Sequence, residues 1–209
     1  MHILFLNRSF YPDIEATGQL TTELCESLVI RGYKISVIAG RSIYVQNKDF
    51  FLINNEQYKG INIIRTSGTI LPKRFLSFRL INLATYFLIA FIAGLFLKYK
   101  PDVIVAQTDP PLISIVGILL ARFYNAKFIY YCQDIYPDVG IVSGRLRNPI
   151  LNFILEKSNS FSYKMADKII VIGKSMKKRL IDKGVDGNKI EIVHNWADTE
   201  NIYPVSRNE

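Results

Sequence analysis

The feature that most constrains this chain is a recurrence of short, continuously apolar runs separated by helical stripes. "HILFLN", "KISVIAG", "PDVIVAQ", "KFIYYCQ", "DKIIVIG" and "KIEIVHN" begin at residues 2, 34, 101, 127, 167 and 189. Most are apolar without the polar alternation of a half-exposed strand, so they are expected to be buried on both faces. Between the first two runs, Leu20, Leu24 and Leu28 recur at helical spacing, and Gly32 is placed to close that helix. Further helices are expected over residues 75–99, 111–125, 149–166 and 175–184. Six or seven strands alternating with helices predict a doubly wound, Rossmann-like α/β fold whose parallel sheet is covered on both faces. Residues 41–72 are less regular, and "FFLINNEQYKGINIIRTSG" predicts two short strands around "NEQYKG", a hairpin or ribbon on the sheet edge.

In such a sheet the ligand crevice lies beyond the carboxyl ends of the strands, so the loops after each strand carry the chemistry. After the first strand comes "NRSFYPDIEATGQLTTEL", where Gly18 stands just before a helix whose first-turn N–H groups could receive a phosphate. The alternative is that Gly18 only starts the helix. No GxGxxG and no GxxxxGK[ST] pattern occurs, which removes the usual dinucleotide and triphosphate signatures. After "DVIVAQ" comes "TDPPL", in which Asp109 is either a crevice residue or a turn former. After "FIYYCQ" comes "DIYPDVG". Gln133 and Asp134 sit at that strand end with Tyr136 and Pro137 behind them, and a buried carboxylate without a partner is costly enough to suggest a ligand.

At 209 residues and 49% hydrophobic the chain suits one good-sized packed domain. A net charge of +8 calls for an anionic partner: nucleic acid, anionic lipid or a phosphorylated ligand. Nucleic acid is set aside, because neither an exposed basic and aromatic sheet face nor a recognition helix is visible. Much of the surplus reads as solvated helix face: in "KSMKKRLIDKG", Met176, Leu180 and Ile181 are expected to face inward and Lys174, Lys177, Lys178 and Lys183 outward. Cys25 and Cys132 lack metal or redox spacing, and His2 and His194 are too few for a metal site, so no metal is expected. "MHILFLNRSF" lacks a basic leader and a cleavage site, from which a cytoplasmic location is expected. The apolar run from Leu80 to Leu97, about 27 Å long as a helix, fits either a crossover helix packed in the domain or a membrane span. The crossover is the main expectation, since the run leads through a short bridge into "PDVIVAQ".

Several stretches together carry a resemblance. They are "ILFLNRSFYPDIEATGQL", "LVIRGYKISVIAG", "KPDVIVAQTDPPL", "YYCQDIYPD" and, most specific, "ADKIIVIGKSMKKRLIDKGVDGNKIEIVHNWADTENIYP". The chain resembles the N-terminal, acceptor-side half of the GT-B retaining glycosyltransferases of family 4. It is most similar to bacterial enzymes of O-antigen, capsule or colanic-acid-like polysaccharide assembly, including N-acetylfucosamine transferases. The resemblance implies a Rossmann-like acceptor domain over residues 1–195, a linker beginning at 196–209, and a donor-binding C-terminal domain absent from the chain. It implies that Thr17 and Gly18 approach the donor phosphates, and that Tyr11, Asp109, Gln133 and Asp134 line the acceptor pocket. Asp134 and Gln133 are implied as the catalytic pair, and His194 as positional.

The implied partners are a nucleotide-sugar donor, a lipid-linked saccharide acceptor, the donor-side domain and an anionic membrane surface, with no cofactor and no metal. The implied location is peripheral, at the inner face of the plasma membrane. Family members often carry His where Gln133 stands and two glycines where this chain has only Gly18. A competing expectation is a non-catalytic subunit that uses the same fold to recruit a separate transferase to lipid. A nucleotide-sugar epimerase is weaker, because its GxxGxxG and YxxxK signatures do not occur.

Overall fold

The computed structural model describes residues 1–41, 53–69, 71–72, 74–144 and 148–197. The apolar runs become strands, and the stripes between them become helices. In chain order the elements are β1 (His2–Leu6), α1 (Ala16–Ile30), β2 (Lys34–Gly40), β3 (Ile53–Tyr58), β4 (Ile61–Thr66), α2 (Leu76–Leu95) and β5 (Val103–Ala106). They continue with α3 (Ile113–Tyr124), β6 (Lys127–Cys132), α4 (Asp138–Val142), α5 (Pro149–Met165), β7 (Lys168–Val171), α6 (Lys174–Asp182) and β8 (Ile190–Ile192). One sheet contains all eight strands in the order β3-β4-β2-β1-β5-β6-β7-β8. Every pairing is parallel except β3 with β4.

Successive residues of β1 point to two different cores. Leu4 and Leu6 join a cluster with Tyr86, Ala90 and Ala93 of α2, Leu120 of α3, Tyr163 of α5 and Leu180 of α6. Ile3 and Phe5 join a second cluster with Cys25 of α1. The division follows from crossover handedness. The step from β1 to β2 runs one way along the sheet, while those from β4 to β5 and on to β8 run the other, so right-handed crossovers place α1 on one face and α2, α3, α5 and α6 on the opposite one. Both faces are therefore covered, but unequally. Leu4, Leu6, Ile38 and Ile104 are fully buried, and each such side chain contributes about 1.5–3 kcal/mol.

Local chemistry sets the element ends. Gly32 closes α1 as expected, with its N–H on Val29 and that of Tyr33 on Leu28. Asn148 Oδ1 accepts from the N–H groups of Ile150 and Leu151, and Pro149 fills the first position of α5, where its missing donor costs nothing. The expected edge ribbon is a hairpin, but β3 keeps residues 55–58 and leaves only Lys59 and Gly60 to turn, both at positive φ. That turn geometry matches the twist of the flanking strands and admits glycine readily. Residues 50–52 of the expected ribbon lie outside the described residues. The sheet has eight strands where six or seven were expected, and "DIYPDVG" holds the five-residue α4, too short to show a helical stripe.

Two side-chain expectations are corrected. Ile181 is 45% exposed, leaving Leu180 as the fully buried residue of α6. Lys183 does not point into solvent: its ammonium lies 3.1 Å from Asp138 and 2.9 Å from Glu156, drawn in by two carboxylates on α4 and α5. The long apolar helix α2 is a crossover, with its inner side on the sheet and its ends leading from β4 into β5.

Candidate functional site

At the carboxyl ends of β1, β5 and β6, three loops are tied into one edge. The Arg8 N–H donates to the Asp109 carbonyl at 2.8 Å, and the Arg8 guanidinium meets the Asp109 carboxylate at 2.8 Å. The Ser9 hydroxyl and N–H donate to the other Asp109 oxygen at 2.6 and 3.2 Å. Asp109 thus fastens the loop after β5 to the loop after β1, with both carboxylate oxygens engaged. Three residues on, Leu112 begins α3 at φ 75, a left-handed backbone that costs a residue with a Cβ about 1–2 kcal/mol.

The third loop hangs on Thr108. Its buried hydroxyl oxygen accepts from the N–H groups of both Gln133 and Asp134, each at 3.2 Å. Gln133 is buried, and its Oε1 accepts from Asn195 Nδ2 at 3.2 Å, which links the stretch after β8 to the same edge. Asp134 differs. Its carboxylate is half-buried and makes no hydrogen bond or ion pair among the described residues. Burial, and secondarily the Asp109 charge, push its carboxyl above the ordinary aspartate range. A carboxylate held this way is poised to receive a ligand hydroxyl, which would replace the water it has lost.

On the α1 side, Glu15 caps the helix without a side-chain hydrogen bond, and the first turn holds no acidic residue. The carbonyls of Thr17 and Gly18 accept from the hydroxyls of Thr21 and Thr22, which keeps this turn regular. Gly18 packs directly under the β1 loop: a Cβ there would stand 3.2 Å from the Ser9 carbonyl carbon and 3.3 Å from the Phe10 nitrogen. Close approach of two backbones is the reason for glycine at this position. Gln107 Nε2 donates to Thr21 Oγ1 at 2.7 Å, so α1 and β5 are tied as well.

The predicted residues therefore fall into groups. Asp109, Gln133 and Asp134 converge on one loop edge, and Thr17 and Gly18 open the helix beside it. Tyr11 is engaged elsewhere: its ring stacks on Tyr58 of the edge hairpin at 3.7 Å, and its carbonyl accepts from the buried Arg65 guanidinium. His194 holds the Ile172 carbonyl at 3.0 Å through Nδ1, a positional contact. Sequence reasoning missed Arg8, Ser9, Thr108 and Asn195. The available signal was adjacency, since each follows a strand, and Ser9, Thr108 and Asn195 stand within two residues of a position already singled out.

Comparison with known proteins agrees with this architecture. The model of Glycosyltransferase Family 4 matches residues 17–201. A protein described as a glycosyltransferase, WbjE of Pseudomonas aeruginosa, is 28% identical over 111 residues, covering 53% of this chain and 28% of its own length. A protein described as a colanic acid biosynthesis glycosyl transferase, WcaI of Escherichia coli, is 23% identical over 207 residues, covering 95% of this chain and 51% of its own. The chain thus spans about half the length of the relative it matches most fully. Among solved structures, sucrose-phosphate synthase from Thermosynechococcus elongatus superposes with a TM-score of 0.67 at 15% identity, over 98% of this chain and 50% of that one. Anabaena HepE in complex with UDP-glucose superposes with a TM-score of 0.52 at 15% identity, over 100% of this chain and 47% of that one. The sheet and its helices are one Rossmann-like half of a GT-B fold, and the chain belongs to glycosyltransferase family 4.

Proposed function

We propose that this chain is the acceptor-binding half of a retaining glycosyltransferase that moves a sugar from a nucleotide-sugar donor to a lipid-linked saccharide in O-antigen or capsule assembly. The observation that carries the reading is the half-buried Asp134 carboxylate, unpartnered among the described residues and set beside Gln133 on the Thr108 hook. Asp134 accepts a hydroxyl of the acceptor, and the Gln133 amide orients the sugar next to it. The first turn of α1 at Thr17 and Gly18 turns its N–H groups to the donor phosphates. In a retaining transfer the departing diphosphate can take the acceptor proton on the same face, so this half contributes orientation and charge placement.

Residues 1–195 form the acceptor domain in this reading, and a donor-binding domain supplied from outside them completes the enzyme. The coverage of only half of WcaI and of sucrose-phosphate synthase supports that division. Nucleotide sugars and lipid-linked acceptors meet at the cytoplasmic face of a membrane, where this half would work. Family membership weighs against a purely non-catalytic recruiting subunit.

The test is a transfer assay with the 209-residue chain, a panel of nucleotide sugars and a lipid pyrophosphate-linked saccharide, with and without a donor-side family 4 domain. Transfer should appear only in combination, and Asp134→Asn should lower it at least about tenfold. Turnover by the chain alone would move the donor site into these residues. Wild-type turnover by the variant would remove Asp134 from the site.

A further inference from the structure

A row of polar side chains crosses the amino-terminal edge of the sheet, at the end opposite Asp134. His2 of β1, Ser36 of β2 and Asn62 of β4 face the α2 side, where Leu4, Ile38 and Ile64 of the same strands are buried in the core. Ser36 pairs with Asn62 and Asn62 with Gln57 of β3, so the row spans four strands. The His2 imidazole meets the Ser36 hydroxyl at 2.9 Å, and Gln57 Nε2 donates to Asn62 Oδ1 at 3.1 Å. Polar side chains are out of place on the buried face of a parallel sheet unless that stretch opens onto something polar. Between this row and the segment that follows α2 lies a cavity of about 560 Å³, the size of a small-ligand site.

The lining of this cavity defines what fits. Its lysines are Lys34 and Lys98, whose ammoniums stand over the Tyr99 ring at 4.6 and 5.5 Å from the centroid. Neither makes an ion pair among the described residues, and no Asp or Glu lines the cavity. Two like charges held beside one ring repel, so an anion between them is stabilised from both sides. His2 fixes this wall. Its Nδ1 donates to the Lys100 carbonyl at 3.2 Å, its backbone N–H donates to the Asp102 carboxylate at 2.7 Å, and its ring meets Tyr99 edge-on at 6.3 Å. On the opposite wall Asn55, Gln57 and Asn62 present amides, and that of Asn55 has no partner among the described residues. Amides both donate and accept, which matches neighbouring hydroxyls, and Phe96, 81% exposed, offers a ring for the C–H face of a sugar.

We propose that this cavity binds a sugar unit bearing a carboxylate or a phosphate, with Lys34 and Lys98 on the anion and the amides of Asn55, Gln57 and Asn62 on the hydroxyls. The length of β1, about 15 Å, separates it from the crevice, so the two sites can be filled together. Taking the ligand to be a sugar rests on the family 4 reading, whereas the lysine pair and the amide row do not depend on it.

The experiment is an NMR titration of the isotope-labelled 209-residue chain with glucuronic acid, glucosyl phosphate, glucose and inorganic phosphate, following the side-chain amides of Asn55, Gln57 and Asn62. Those amides should shift saturably with glucuronic acid, with glucosyl phosphate or with both. The tighter of the two names the source, an acidic unit of a polymer or a free sugar phosphate. Glucose and inorganic phosphate should each bind at least about tenfold more weakly, since each lacks one half of the recognition. Lys34→Met with Lys98→Met keeps the aliphatic stems and should weaken the anionic sugar at least about tenfold, with an unchanged unfolding temperature. Gln57→Ala should weaken it too, while Asp134→Asn should leave it as it was. Amides that no ligand shifts, equal affinity for glucose or inorganic phosphate, or indifference to the double lysine variant would overturn the proposal. Binding lost in Asp134→Asn would also overturn it, by moving the ligand into the crevice. The titration contains no donor and no transfer step, so its failure is separable from failure of sugar transfer.

Discussion

Asp134 and Asp109 are both acidic residues at strand ends, yet their surroundings give them opposite duties. Asp109 is occupied by Arg8 and Ser9, whereas Asp134 is shifted up by burial and by Asp109 itself. A carboxyl raised in the fold binds its proton more tightly than in the unfolded chain. Stability therefore falls as pH rises from the unfolded value, about 3.9, through the folded one, and the full cost remains above both. Asp134→Asn removes that cost, so it should unfold at an equal or higher temperature at neutral pH, with the difference vanishing in acid. A lower unfolding temperature at neutral pH would give Asp134 a structural partner. Asp109→Asn should cost about 1–2 kcal/mol by denaturant titration, since it weakens charge-assisted bonds to Arg8 and Ser9. It should also move the Asp134 titration downward in a carboxyl NMR experiment. An unmoved Asp134 would show that the two charges do not feel each other.

At the scale of elements, the loops hold their places through the helices behind them. Asp138 at the start of α4 receives Arg179 of α6 at 2.7 Å and Lys183 at 3.1 Å, and Lys183 also meets Glu156 of α5. Burial alone would raise the Asp138 carboxyl, but the hydrogen bonds from Arg179 and Lys183 outweigh it and hold it below the ordinary range. Its contribution is present above the unfolded value and lost as pH falls through the folded one. Asp138→Asn should cost about 1–2 kcal/mol at neutral pH and blunt the acid-side loss of stability, read from denaturant midpoints across pH. An unchanged midpoint at neutral pH would mean that solvent screens the network. Asn159 adds a second brace, donating to the Tyr136 carbonyl at 2.6 Å while accepting from Tyr130 at 3.0 Å. The loop of Gln133 and Asp134 is thus held from the core side as well.

For the molecule as a whole, the division of labour follows from topology. Steps along the sheet toward β8 put four helices on one face, and the opposite step from β1 to β2 puts α1 on the other, beside the Gly18 turn. The layer of four helices includes the apolar outer side of α2, and the crevice opens at the end of the same layers. Much of this was legible in the chain, because burial on both faces leaves its mark in composition: runs such as "DVIVA" and "FIYYC" can only be strands inside a covered parallel sheet. Gln133, Asp134 and Asp109 were legible for the same reason, as polar residues abruptly ending apolar runs. The five-residue α4 and the reach of Tyr11 to Tyr58 were not, since the first has no periodicity to show and the second joins residues far apart in sequence. The sequence by itself determined the alternation, the strand-end chemistry and the absence of acids around α2. Only the tertiary structure decided that Asp109 is a fastener and Asp134 an open carboxylate, and that α2 keeps an apolar side outward. Those outcomes depend on which distant groups meet in space, and no local pattern in the chain specifies that meeting.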